Sequence, residues 1–196
     1  VDIVGEWGDV FVRAEFARRP RRELLDDPVA RDAIFDDLLG PLDGAYARSR
    51  LAQLIEQYRP DVIVDGVNTA TAISYQDVYT SSLIAERDLE ALEAGRDISI
   101  GTVSHDIETL ILSQSIPQLI RHVLIIDRAM RAVGTRLYLK VGTTGTGGMG
   151  LNIPYTHSED RPSAKLMTKT AVAFAQTGLL FLMGRTPGGP IVKEIK

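Results

Sequence analysis

Hydrophobic spacing along the chain switches repeatedly between a helical and a strand-like period. DDPVARDAIFDDLLG, residues 26–40, reads as a helix with Asp27 as N-cap, Pro28 at the first helical position and Gly40 as the stop. YARSRLAQLIEQYRP, residues 46–60, places Leu51, Leu54, Ile55 and Tyr58 on one helical face and ends at Pro60. DVIVDG at 61–66 follows at once, a short apolar run between turn signals, which is the pattern of a strand buried on both faces of a parallel sheet. Residues 76–133 are expected to be helical in pieces, with a break around RDISIGT at 96–102. RLYLKVG at 136–142 returns as a strand, PSAKLMTKTAVAFAQTGLLFLMGR at 162–185 is a long buried helix, and PIVKEI at 190–195 begins another strand. Near the start, DVFVR at 9–13 reads as a strand, preceded by a short one at VDIV. Val/Ile-rich strands alternating with helices predict an α/β fold built on a doubly wound parallel sheet.

Bulk properties narrow the class. The 196 residues suffice for one domain with a full core, 1–196, and the apolar and charged fractions are those of a soluble protein. A net charge of -4 and a pI near 5.4 lack the basic footprint of a nucleic-acid or anionic-membrane surface, and RRPRRELL, the one basic cluster, reads as a solvated face. The longest apolar stretch, AVAFAQTGLLFLM, is too short to cross a bilayer and contains Gln176. With no cysteine and three scattered histidines, His105, His122 and His157, neither disulfides nor metal-ligand spacing arises, and a cytoplasmic location is expected.

Gly145, Gly147 and Gly150 stand in G-x-G-x-x-G spacing after the strand at 136–142. A pyrophosphate-binding turn needs a helix next, whose N-terminal amides meet the phosphates. LNIPYTHSEDRP carries no helical period, and AKLMTKTAVAF occupies the region where an acidic residue belongs about 20 positions on. The glycines therefore do not read as a phosphate cradle.

Three segments resemble the short-chain dehydrogenase/reductase superfamily, in particular its extended, epimerase- and dehydratase-like branch. RPDVIVDGVNTAT is similar to the family's fourth strand and the turn along the cofactor, with Asn68 and Thr69 in that turn. RHVLIIDRAMRAVGTRLYLKVGTTGTGGMG is similar to the central helix and fifth strand, with His122 where an Asn is common and Thr143 and Thr144 where the catalytic hydroxyl sits. TKTA in the last long helix is similar to the family's SKxA and places Lys169 at the family lysine. The resemblance implies a Rossmann-like domain binding NAD or NADP, a small-molecule carbonyl or hydroxyl substrate such as a sugar nucleotide, and a homodimer through the central helices. It begins at the family's third strand, so the domain is expected to be N-terminally incomplete and part of a longer chain.

The resemblance also assigns roles. Thr143 or Thr144 would hydrogen-bond the substrate, although Thr also simply suits a strand. Lys169 would bind the nicotinamide ribose. Four residues earlier, where the family has its catalytic Tyr, stands Lys165. Two ammonium groups one turn apart disfavour each other's charge, so one desolvated against a cofactor would act as a base or as an anion clamp; a solvated lysine pair is the plainer alternative. Tyr155 would replace the missing phenol or else pack beside Pro154. His122 is a polar group beneath the active site or a satisfied core histidine. Asp9 corresponds to the acid near the adenine or is a turn former. Outer positions Leu119, Ile120, Ile125 and Ile126 would feed the dimer interface. The competing class is a non-catalytic nucleotide-binding or scaffold domain that has lost the catalytic Tyr.

Overall fold

The computed structural model describes residues 2–67, 78–141 and 164–195. The chain is an α/β protein, mostly helical, with a small three-stranded parallel sheet. A 3-10 turn at Ala14–Phe16 precedes α1 (Arg21–Asp26), α2 (Pro28–Leu39), α3 (Leu42–Arg48), α4 (Arg50–Tyr58) and β1 (Val62–Asp65). Then come α5 (Val78–Glu93), α6 (Ile100–Leu112), α7 (Ser115–Val133), β2 (Leu137–Val141), α8 (Ala164–Arg185) and β3 (Ile191–Ile195).

The helix boundaries follow from local chemistry. Asp27 caps α2 by accepting from the Val29 and Ala30 amides at 3.0 and 3.3 Å, with Pro28 at the first position. At Gly40, any side chain would meet the Asp36 carbonyl oxygen at 2.5 Å. The helix expected over 46–60 is instead two helices, because Ser49 turns extended, bridges to Arg13 and caps α4 through the Ala52 amide. α4 closes on Arg59 in the left-handed region, φ 44°, one residue before Pro60. The break expected over 96–102 is shorter than its signals suggest: Ser99 accepts from the Thr102 amide at 3.0 Å and starts α6 at Ile100.

Residues 9–13 do not form a strand, nor do residues 2–4. Asp9 folds its carboxylate back onto the Phe11 amide at 2.9 Å, and Gly8, at φ 131°, lets the chain turn against the Ala17 carbonyl. The alternating apolar residues of this stretch are used differently: Val12 joins Phe16, Leu24, Leu25, Ala30, Ile34 and Leu112 in a small N-terminal core.

The strand order is β1-β2-β3, all parallel, with Asp65 opposite Lys140 and Val141 opposite Ile195. On one face, Ile63, Tyr138 and Val192 pack with Ile55 of α4, Leu119, Val123, Ile126 and Met130 of α7, and Leu180 and Met183 of α8. Right-handed crossovers that advance in one direction put their helices on the same side of a sheet. No described residue covers the opposite face, where Val62 is 50%, Val64 63% and Ile191 62% exposed. The expectation that 61–66 is buried on both faces is thus corrected: β1 is a strand, buried on one side among the described residues. Among the described side chains of α8, Leu180 and Met183 are buried, and Phe174, Phe181 and Leu182 are exposed. Leu119, Ile125 and Ile126, expected on the outside of α7, lie in the core, whereas Ile120 faces out with Ile116 and Leu124. Among the described residues no single helix is long and apolar enough to cross a membrane; α6 and α7 reach that length only as a pair bent by 55°.

Candidate functional site

In a parallel α/β sheet the ligand crevice lies outside the carboxyl ends of the strands. β1 and β2 are Val-Ile-Val-Asp and Leu-Tyr-Leu-Lys-Val, so the period of two turns Asp65, Tyr138 and Lys140 toward the helices. The register that sets Asp65 opposite Lys140 then joins them near the carboxyl ends. Lys140 Nζ lies 3.1 Å from Asp65 Oδ1 and donates to the Val67 carbonyl at 2.6 Å. Tyr138 donates its hydroxyl to Asp65 Oδ2 at 2.5 Å, and the Val67 amide donates to Asp65 Oδ1 at 2.8 Å. All three side chains are buried: Tyr138 is 1%, Lys140 2% and Asp65 8% exposed.

Burial alone would raise the Asp65 carboxyl, but the Lys140 charge, the Tyr138 hydroxyl and the Val67 amide outweigh it and hold Asp65 below the ordinary carboxylate range. Burial, reinforced by the Asp65 carboxylate, pushes the Tyr138 phenol far up, so it stays a neutral donor. Asp65 therefore stays ionised and Tyr138 neutral, so neither is suited to exchanging a proton near neutrality.

His122 belongs to the same electrostatic neighbourhood. Burial pulls it down to about 4; Asp65 works against that shift and Lys140 with it. Its ring sits 4.7 Å from the Phe11 ring and is neutral at physiological pH. Together with Phe11, Gln118, Arg121 and Ile125 it lines a cavity of about 50 Å³ beneath the N-terminal turn. That space holds a few waters; ligand pockets for larger molecules run from about 300 Å³ upward. Arg121 is spent on the carbonyls of Leu38 and Gly40, at 3.0 and 2.6 Å, where it closes the carboxyl end of α2.

Of the residues singled out in the sequence, His122 lies beside the cluster. Asp9 is engaged in the N-terminal lobe, accepting from the Phe11 amide and from Arg21 at 3.0 and 2.9 Å. Lys165 and Lys169 fall in the first two turns of α8, one helical turn apart, with side chains outside the described set. Asn68, Thr69, Thr143, Thr144 and Tyr155, and the glycines 145, 147 and 150, lie outside the described residues. Asp65, Tyr138 and Lys140 were missed in the sequence, although a charged residue at an inward position of each of two short apolar strands is a readable signal. Among the described residues no group of three His, Asp or Glu side chains is placed to hold a metal ion. Compared with protein-family models, curated proteins and solved structures, the chain has no match.

Proposed function

We propose that the chain is a Rossmann-like NAD- or NADP-dependent enzyme of the short-chain dehydrogenase/reductase type, acting on a carbonyl or hydroxyl compound such as a sugar nucleotide. The supporting observation is the parallel sheet in which β1 and β2 end together on the buried Asp65–Lys140–Tyr138 cluster, where an α/β sheet receives ligands. In this reading Asn68 and Thr69, just beyond Val67, run along the cofactor, and Lys169 binds the nicotinamide ribose. Thr143 or Thr144 orients the substrate. A bound nicotinamide would supply the hydride acceptor for a carbinol substrate, and Lys165 or Tyr155 would take the hydroxyl proton. A doubly wound sheet carries helices on both faces, and the exposed Val62, Val64 and Ile191 lie on the face opposite the described helices. The exposed ridge Ile116, Ile120 and Leu124 on α7 supports homodimerisation in a cytoplasmic protein.

A second reading is favoured by one residue. Lys165 stands where the family's phenol would be, which suits a nucleotide-binding domain without hydride transfer. Fluorescence titration with NADH and NADPH tests what the two readings share, saturable binding at one site. Turnover with carbonyl substrates then separates them. Absence of binding by either nucleotide refutes both.

A further inference from the structure

We infer that Lys140 and Asp65 are positioning residues: together they clamp the backbone of Val67 and thereby set the path of the chain as it leaves β1 at the cofactor crevice. The functional half of this inference rests on the reading above; the clamp itself does not. Both polar groups of Val67 are held, the carbonyl by Lys140 Nζ at 2.6 Å and the amide by Asp65 Oδ1 at 2.8 Å, while the two side chains hold each other at 3.1 Å. Tyr138 fixes the other carboxylate oxygen, so Asp65 has no freedom to swing away.

A buried ion pair is a poor way to gain stability, because well-packed apolar residues of similar volume often do better. What the pair supplies here is geometry. β1 is only four residues long and sits at the edge of the sheet among the described residues, so the described ladder hydrogen bonds hold it on one side alone. Val67 lies two residues past the strand, with a 40% exposed side chain, and both its backbone polar groups are held by these two side chains. Strand register delivers both charged groups: a one-residue slip would turn Asp65 and Lys140 to opposite faces.

The test is a paired replacement, Asp65→Leu with Lys140→Met, which removes both holds on Val67 without stranding a charge. Amide exchange by NMR is read at Val67 and across β2, and NADH and NADPH affinities are measured alongside. The expected result is a lower melting temperature, since Asp65→Leu leaves the buried Tyr138 hydroxyl without its acceptor, exchange at Val67 faster by about tenfold or more with β2 unchanged, and nucleotide affinity lower by about tenfold. Lys140→Met alone is expected to lower the melting temperature as well, because it strands Asp65. Unchanged exchange at Val67 in the paired variant overturns the clamp. Faster exchange with unchanged affinity overturns its positioning role. If the paired variant does not fold, the wild type decides: Val67 must exchange slowly although it lies outside the strand, and fast exchange overturns the inference. If the wild type binds neither nucleotide, the enzyme reading falls and the clamp stands or falls on exchange alone.

Discussion

His122 makes the fold sensitive to mild acid in a way that one substitution can isolate. Burial holds the ring near 4 in the folded protein against an ordinary value of 6.5. Between those values the unfolded chain binds a proton that the folded chain refuses, so stability falls as pH drops below about 6.5, and the loss is complete below about 4. The 2.5-unit gap corresponds to at most about 3 kcal/mol, of which about 2 kcal/mol is lost by pH 5. This is a ceiling, because the side chain is only half-buried against its cavity. Other groups act nearby. Asp27 and Asp65 sit below the usual carboxylate value of 3.8 and lose stability only in stronger acid. Asp88, raised by burial and by its neighbour Asp106, has the opposite sign, since acid relieves it. These contributions cancel when the wild type is compared with His122→Leu, which cannot titrate. Urea unfolding of both proteins from pH 8 to pH 5 should show their stability difference shifting by up to about 2 kcal/mol in favour of the variant. A difference that stays constant across that range, or a His122 ring titrating near 6.5 by NMR, refutes the burial argument.

Three further outcomes are expected. Asp27→Ala removes the oxygen that caps α2 and should cost about 1 kcal/mol in urea unfolding. Arg59→Gly, at the left-handed residue that closes α4, should stabilise by about 0.5–1 kcal/mol, since glycine takes that conformation without the steric cost; an unchanged or lower midpoint counts against it. Lys169→Ala should weaken nucleotide binding by about 1–3 kcal/mol, whereas Lys165→Ala should leave binding intact and slow turnover by about 10²–10⁴-fold. Full turnover in Lys165→Ala together with none in Tyr155→Phe would move the proton transfer to the loop phenol.

Elements with a self-contained local signal were legible in the sequence. Asp27-Pro28 with Gly40 defined α2, and Val62–Asp65, Leu137–Val141 and Ile191–Ile195 read as strands from their composition. What failed depended on partners distant in sequence. Val10, Phe11 and Val12 carry a strand-like pattern but became a turn, because Asp9 captured a local amide and Arg50 donates its amide to the Val12 carbonyl. Which face of β1 is covered depends on the direction in which later strands are added, and nothing in DVIVDG encodes that. The same holds at the site. Each of Asp65 and Lys140 looks like an ordinary strand-end charge; only the register that sets β1 against β2 makes them a pair. His122, by contrast, was visible as a lone histidine in a largely apolar stretch of helix.

The two edges of the sheet differ in how well they resist unwanted pairing. β3 carries Lys193 and Glu194 in its outer strand, charges of the kind that discourage another strand from adding there. β1 offers Val62, Ile63 and Val64, no charge before Asp65, and an outer row of backbone groups that no described residue pairs. Among the described residues, the edge that would accept a further strand is therefore that of β1. Self-association driven by backbone pairing would start at β1, and a lysine at Val64 is the substitution that would keep the chain dispersed at high concentration without touching the helical side of the sheet.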